Sequence, residues 1–287
     1  MTAAASYDDA FDAVAAVPLD RDVLLAEGPE AATYLHGQLS QDVEGLAVSE
    51  SRWSFLLEPT GKVESHLRVS RVGDERFVLD TQAGFGEPTR ASLDRFKLRT
   101  KVTFSELDWQ VVGLRGPDAG SVEVDGAEVD AAVAWPGGGR DLLGPAVTVQ
   151  APGLDADAAE VARVEAGAPR LGVDVESGSI PQESGLVPAS VCFTKGCYRG
   201  QELVERIAAR GAERRVLRRF RVEGSAAVGD SLTDESGSTV GALTSVADSP
   251  RSGVVALGWV RGDVAEGSVT TAASGGRLIV SSRVDEE

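Results

Sequence analysis

The chain has 287 residues, of which 42% are apolar, and its formal net charge is −17. This length suits two or three domains of ordinary size, and the acidic balance disfavours direct binding to nucleic acid. The N-terminal dozen residues are acidic with no cationic segment before an apolar one, and no apolar run approaches the roughly 18 residues of a membrane span, so we expect a cytoplasmic protein without a membrane partner.

The first hundred residues alternate strand and helix patterns. Alternating apolar positions predict strands over 22–26, 53–57, 62–72, 76–80, 101–105 and 109–114. Helical spacing predicts helices over 28–39 and 87–96, and Gly61 and Gly73 supply turns between strands. Because several of these strands follow one another through turns and are expected to form an antiparallel sheet, this part of the chain is predicted to be α+β.

The remainder of the chain changes character twice. Residues 116–153 are rich in glycine, proline and aspartate and predict short strands, and residues 155–166 predict a helix. Beyond Gly211 the pattern is entirely strand-like, over 216–222, 238–247, 254–260 and 277–284. Several short strands separated by turn residues predict a small all-β module, and we expect a barrel.

The segment 195–202, KGCYRGQE, concentrates the reactive chemistry of the chain. Cys197 stands between two glycines, Gly196 and Gly200, which allow a tight turn with positive φ or a close backbone approach. Lys195 and Arg199 flank the cysteine, and an amphipathic helix is predicted from residue 201 to a C-cap at residue 211. Nearby cations and a helix N-terminus favour a thiolate, so we predict a reactive cysteine. The alternative is a small buried residue in a turn.

The other potential ligand residues are few. The two cysteines, Cys192 and Cys197, do not make a disulfide framework, and Cys192 is predicted to be a buried strand thiol. A redox pair of the two stays open, although the spacing lacks the CxxC form. With only His36 and His66 as imidazoles, the sequence shows no zinc spacing, and we predict no metal site.

Four segments in the expected order make the chain resemble the YgfZ family, whose members are folate-binding relatives of the glycine cleavage T-protein (aminomethyltransferase) that act in iron–sulfur protein maturation. The most specific is KGCYRGQE at 195–202. The others are 28–42, the RVEAG segment at 163–167 followed by IPQE at 180–183, and GALTSVADSP at 241–250 followed by VALGWV at 255–260. The resemblance implies three lobes: a discontinuous first lobe (1–48 and 160–212), a ferredoxin-like lobe (49–159) and a C-terminal β-barrel (213–287).

The resemblance also implies a cofactor, tetrahydrofolate or a one-carbon derivative. Glu165 occupies the position of the family's pterin-reading glutamate. A carboxylate suits that role because it accepts two parallel hydrogen bonds. Arg215 resembles the folate-contacting arginine, with Arg214 as the alternative. The implied cofactor-binding set is Glu165, Arg215, Arg199, Tyr198 and Gln201, and the implied catalytic residues are Cys197 and Lys195. Residues 195–221 carry nine Lys/Arg against three Glu, which suits the glutamate tail of a folate.

The sequence departs from the T-protein pattern at one place. Where T-proteins carry an Asp-Asp pair after a glycine turn, this chain has Ser65-His66, so ordinary aminomethyl transfer is not expected. Three hypotheses follow. The first is a folate-dependent factor that serves iron–sulfur client or assembly proteins through Cys197. The second is folate-dependent one-carbon transfer or demethylation with His66 or Glu64 as the base. The third is a non-catalytic folate-binding scaffold.

Overall fold

The computed structural model describes residues 5–211 and 213–283, which form two compact units. The first unit comprises the residues up to Ala156 together with Ala189–Leu203, and the second comprises Asp157–Pro188 and the residues from Val204 onward. Val284, the predicted end of the last strand, lies outside the described residues. Within the described part, no helix is both long enough and apolar enough to cross a membrane.

The helices are α1 (Asp9–Asp12), α2 (Ala31–Gln38), α3 (Gly86–Lys97), α4 (Ala156–Glu165), α5 (Val187–Ser190) and α6 (Gln201–Arg210), with 3₁₀ turns at Pro117–Ser121 and Pro181–Ser184. The strands of the first unit are β1 (Ala15–Pro18), β2 (Arg21–Glu27), β3 (Ser51–Leu57), β4 (Val63–Gly73), β5 (Arg76–Gln82), β6 (Thr103–Leu107), β7 (Gln110–Arg115), β8 (Val124–Asp125), β9 (Val129–Ala132), β10 (Gly139–Gly144) and β11 (Thr148–Val149). The strands of the second unit are β12 (Arg215–Glu223), β13 (Ser231–Thr233), β14 (Thr239–Ser249), β15 (Gly253–Arg261), β16 (Val269–Ala272) and β17 (Arg277–Arg283).

The first unit is built on a five-stranded antiparallel sheet with the order β3-β4-β5-β2-β6. Alternate residues of each strand point to one face, where Leu24, Leu67 and Phe77 pack with Leu35 of α2 and Leu93 of α3 into one buried core. A four-stranded sheet of order β1-β7-β10-β9 belongs to the same unit. A second apolar cluster joins the two sheets, with members from both (Val23, Val78, Val111, Val129, Ala131 and Leu143).

The second unit contains a closed six-stranded barrel of order β12-β15-β14-β13-β16-β17. Its interior is filled by one side of each strand, including Val216, Phe220, Leu243 and Val280. The barrel prediction is therefore confirmed. The pattern missed β13 and β16, because strands of three and four residues are too short to show an alternation.

The mixed α+β class is also confirmed, and the predicted helices and strands of the first hundred residues are present with ends shifted by a few residues. The division into three lobes stays a prediction.

Candidate functional site

Lys195 anchors the loop that carries Cys197 to the end of α2. Its ammonium donates to the carbonyl oxygens of Leu39 at 2.8 Å and Gln41 at 2.9 Å, and also to the carbonyl of His36. These carbonyls lie at and beyond the C-terminus of a helix, where a cation is favourable. Burial lowers the pKa of Lys195 to about 8. Since its three N–H donors point at carbonyls, the predicted catalytic role of Lys195 at Cys197 stays a prediction.

Arg199 forms a second anchor of the same loop. Its Nε donates to the Leu57 carbonyl at 2.6 Å, and its Nη2 donates to the Ser92 hydroxyl at 3.0 Å and pairs with the Glu64 carboxylate. The guanidinium lies 4.5 Å from the ring centroid of Phe96 on α3. Its side chain is only 7% exposed, and burial lowers its pKa. Its Nη1 is buried without a hydrogen-bond partner among the described residues, so Arg199 keeps one donor direction unused.

The residues next to Cys197 are also fixed in place. The Tyr198 ring is buried under the Lys195 ammonium, at 5.2 Å. Gly200 has φ +80°, and a β-carbon there would lie 2.5 Å from the Glu58 carbonyl oxygen. The close approach predicted for Gly200 is therefore confirmed, whereas the expectation for Gly196 is wrong, because it has ordinary φ and open space around it.

Cys197 itself is exposed, which contradicts the alternative of a small buried residue. The loop is therefore held on both sides of a cysteine that faces outward. The helix predicted after this loop is also confirmed. It begins at Gln201, whose N–H donates to the Tyr198 carbonyl at 3.3 Å. Gly211 follows its last residue with φ +63°, as expected of a C-cap glycine.

Cys192 corrects the prediction of a buried strand thiol. It lies in an irregular loop, is partly exposed, and its Sγ is 3.4 Å from the Thr194 hydroxyl. That hydroxyl, with the backbone N–H groups of Thr194 and Lys195, lowers the pKa of the Cys192 thiol. A threonine two residues after a cysteine was the available sequence signal, since such a hydroxyl can turn back onto the sulfur.

The segment that replaces the T-protein aspartates holds its polar groups in defined pairs. His66 stacks on Trp53 with ring centroids 4.9 Å apart, and its Nε2 shares a 3.0 Å hydrogen bond with the Ser190 hydroxyl. Burial and the charge of Arg21 lower the pKa of His66 to about 3, so it is neutral and a weak base near pH 7. Glu64 is held by Arg199 and Ser92. The geometry therefore disfavours both candidate bases of the one-carbon-transfer hypothesis.

A buried ionic network behind His66 was not predicted. Arg68 is 1% exposed and donates to the Asp80 carboxylate at 2.9 and 3.0 Å and to Asp141 at 2.9 Å. Arg21 also pairs with Asp80, and Arg115 with Asp141 at 2.8 Å. These ion pairs connect β2, β4 and β5 of one sheet to β7 and β10 of the other. Replacing one member would leave the charge of its partner buried without compensation, which is strongly destabilising.

In the second unit, Glu165 is the last residue of α4 and is oriented by the barrel. The hydroxyl of Ser249 donates to its Oε2, and that of Ser252 donates to its Oε1 at 2.8 Å. The RVEAG and GALTSVADSP segments, which are far apart in the sequence, are thus in direct contact. Gly167, the last residue of RVEAG, has φ +73°, and a β-carbon there would lie 2.5 Å from the side chain of Arg219.

A buried aspartate links the same two segments a second time. Asp174 is fully buried and accepts hydrogen bonds from Thr244 at 2.6 Å, from Ser245 at 2.7 Å, from Arg163 at 2.8 Å and from the Arg170 backbone at 3.0 Å. Such a fully hydrogen-bonded carboxylate fixes the base of α4 against the barrel. The position of Glu165 therefore rests on this network as well as on its own serine contacts.

Arg215 pairs with a carboxylate from the predicted IPQE segment. Its Nε donates to Glu183 Oε2 at 2.9 Å, and its guanidinium lies 4.5 Å from the Trp259 ring centroid. Glu183 is 5% exposed, whereas the Arg215 side chain is 46% exposed. Arg214 is exposed and forms no ion pair within the described residues. Of the two alternatives, Arg215 is thus the arginine with a fixed position.

No family model matches. An uncharacterized protein of Haemophilus influenzae is 32% identical over 202 residues, which is 69% of each chain. The tRNA-modifying protein YgfZ of Edwardsiella ictaluri is 30% identical, over 69% of this chain and 67% of its own length. The chain belongs to the YgfZ family.

YgfZ of Cronobacter sakazakii is similar at 29% identity over 66% of this chain and 65% of its own length. Among solved structures, the glycine cleavage system aminomethyltransferase T of Bartonella henselae superposes with a TM-score of 0.80 over 96% of this chain and 87% of that protein, at 20% identity. This likeness shows that the YgfZ-family chain has the T-protein fold, which confirms the fold implied by its sequence segments.

Proposed function

We propose that this YgfZ-family protein is a folate-binding factor that supports iron–sulfur cluster assembly or repair, with Cys197 as its reactive thiol. The observation that supports the thiol role is the way the loop is held. Lys195 and Arg199 are fixed by carbonyls and a carboxylate, and Cys197 between them is exposed. A positioned, accessible thiol is what a sulfur or cluster reaction with a partner requires.

The iron–sulfur cluster in this proposal belongs to a client protein rather than to this chain. Within the described residues, no group of three or more His, Cys, Asp or Glu side chains is arranged to hold a metal ion. Cys197 would act on the cluster, on a sulfur species or on the partner's own thiol. Cys192 lies in the same loop with a lowered pKa, and it is therefore the natural comparison thiol.

The proposed folate contacts fit tetrahydrofolate to different degrees. Glu165 is an acceptor-only carboxylate whose two oxygens are already aligned by serine hydroxyls, which suits the paired N–H donors of a pterin. Arg215 is half-exposed and suits a carboxylate of the glutamate tail. Arg199 offers its unpartnered Nη1, whereas Tyr198 and Gln201 contribute to the loop and helix start and stay predictions as folate contacts. When bound, folate would supply a carrier for a one-carbon unit.

The test separates thiol chemistry from folate binding. In a strain that lacks the gene, we expect Cys197→Ala to restore little iron–sulfur enzyme activity, while the matched Cys192→Ala variant restores most of it. Calorimetric titration with tetrahydrofolate should show binding to both variants and a loss of at least tenfold in affinity for Glu165→Gln, since one hydrogen-bonded charge is worth about 1.5–3 kcal/mol.

Full rescue by a folded Cys197→Ala protein that still binds folate would overturn the thiol role and leave the folate-binding scaffold. Absence of folate binding to the unmodified protein would overturn the cofactor. One-carbon transfer predicts instead the turnover of a methylamine donor, abolished by His66→Ala.

The YgfZ relatives are named tRNA-modifying proteins, so the proposal also has to account for an effect on tRNA modification. A chain with net charge −17 repels the phosphate backbone, so we propose that any influence on tRNA passes through an iron–sulfur enzyme that modifies it. Cells without the gene should then accumulate incompletely modified tRNA, whereas the purified protein should not retard tRNA in a gel at 150 mM salt. Tight direct binding of tRNA would contradict the indirect route.

A further inference from the structure

The turn after α3 holds a leucine in an unusual backbone conformation. The Thr100 N–H donates to the Lys97 carbonyl at 3.0 Å, which closes a four-residue turn with Leu98 as its second residue. Leu98 has φ +51° and ψ −111°, close to the roughly +60° and −120° of a type II′ turn. That position favours glycine, because a β-carbon is strained there.

The leucine gains no packing in return. Its residue surface is 90% exposed, the largest fraction among the exposed large apolar residues of the described chain. A glycine would remove the strain, and a polar side chain would remove the exposed apolar surface. Both the strained backbone and the exposed apolar side chain of Leu98 are unfavourable in the isolated protein. Features of this kind are found at sites that contact another molecule.

The same turn carries unpaired positive charge. Arg95, Arg99 and Lys101 are exposed, and none of them forms an ion pair within the described residues. Lys97 is paired with Asp94 at 3.0 Å. We call residues 95–101 the Leu98 turn. On a chain with net charge −17, three free cations around one apolar side chain make a local surface opposite in sign to the rest.

The helix that leads into the Leu98 turn also contacts the loop that carries Cys197. Phe96, two residues before Leu98, is the ring on which Arg199 lies, and Ser92 of the same helix accepts a hydrogen bond from Arg199. A molecule bound at the turn would therefore contact the helix that anchors the Cys197 loop.

We propose that the Leu98 turn is a docking surface for an acidic protein that presents an apolar pocket rimmed by carboxylates. The pocket would take the Leu98 side chain, and the carboxylates would pair with Arg95, Arg99 and Lys101. RNA fits less well, since single-stranded RNA is read by aromatic or planar groups on which bases stack, and leucine offers none. An anionic membrane would repel the rest of the chain, as would a second copy of equal charge. That this partner is an iron–sulfur client rests on the proposed function.

The first experiment traps the partner on the full-length protein in cells of the native organism. A photoreactive p-benzoylphenylalanine replaces Thr100, and the matched control carries it at Val228, which is 65% exposed in the second unit. We expect a protein adduct from position 100 only, identified by mass spectrometry as an acidic protein, whose yield falls about tenfold in Leu98→Gly and in the double variant Arg99→Ser/Lys101→Ser. An RNase-sensitive adduct, a lipid adduct, a self-dimer, no adduct, or an adduct unaffected by these changes would overturn the proposal.

The second experiment tests whether the backbone at Leu98 is strained. Leu98→Gly and Leu98→Ala both remove the apolar side chain, but only glycine removes the strain, so Leu98→Gly should unfold about 2–4 °C above Leu98→Ala. Equal or lower thermal stability would contradict the strain on which the argument depends. Both variants should bind tetrahydrofolate like the unmodified protein. Since the adduct and the unfolding midpoint involve neither Cys197 nor folate, failure of the proposed function leaves both readouts interpretable.

Discussion

His66 should make the protein lose stability as the pH falls below 7. The perturbation is the substitution His66→Gln, which keeps a polar group near the Ser190 hydroxyl, 3.0 Å from His66 Nε2, but cannot take up a proton. In the folded protein the pKa of His66 is lowered to about 3 by burial and by Arg21. In the unfolded chain a histidine has a pKa of about 6.5.

Between these two values the unfolded state binds more protons than the folded state. The free energy of unfolding therefore falls as the pH drops from about 6.5 toward 3. At pH 5, about 1.5 units below the unfolded pKa, the loss reaches about 2 kcal/mol, because each unit corresponds to 1.36 kcal/mol. The buried carboxylates titrate in both proteins and cancel in the comparison.

The assay is urea unfolding of both proteins at pH 8, 7, 6 and 5, followed by tryptophan fluorescence. His66→Gln should be less stable than the unmodified protein at pH 8, and the difference should shrink by about 2 kcal/mol at pH 5. Parallel pH dependences of the two proteins, or an NMR titration of the His66 ring between pH 6 and 7, would refute the reasoning. The assignment is simple, since the only other histidine is His36.

Three further predictions concern the Cys197 loop. Gly200→Ala should lose about 1–3 kcal/mol of stability, because its φ is +80° and a carbonyl oxygen lies 2.5 Å from the new β-carbon, whereas Gly196→Ala should change stability by less than about 0.5 kcal/mol in chemical denaturation. Lys195→Met should lower the free energy of unfolding by about 2–4 kcal/mol, because three carbonyls lose their donor. The control is Lys62→Met, since Lys62 is exposed, and equal losses of stability in the two variants would argue against the anchor. In a pH series with iodoacetamide, Cys192 should react at a lower pH than a model thiol, since a hydroxyl and amide donors face its sulfur, and an ordinary profile would contradict the lowered pKa.

The sequence predicted the parts of the site that depend on local pattern. Gly200 was expected to permit a close approach because glycine alone lacks a β-carbon, and the helix from Gln201 to its glycine C-cap followed from apolar spacing. The anchors could not be found in this way. Lys195 binds carbonyls more than 150 residues earlier in the chain, and Arg199 binds a glutamate 135 residues earlier. No local pattern encodes such a contact, and the same cations were therefore assigned to the cysteine between them.

The buried arginines show the same limit from another direction. Arg68 stands between Leu67 and Val69 in β4, and in such an alternating pattern a charged residue is expected to face solvent. Its two aspartate partners come from β5 and from β10, which is more than 70 residues away. Only the pairing of strands from two sheets brings these charges together, so the buried network becomes visible with the tertiary structure and not before.

The use of Lys195 and Arg199 as anchors changes how Cys197 has to be understood. A cysteine activated by adjacent cations needs those cations free to face the sulfur, but here their donors are directed at carbonyls, a hydroxyl and a carboxylate. The loop thus supplies position and exposure to Cys197. Five residues earlier in the same loop, the Thr194 hydroxyl lowers the pKa of the Cys192 thiol. What the described residues around Cys197 contribute to the proposed sulfur chemistry is therefore a fixed loop and an accessible thiol.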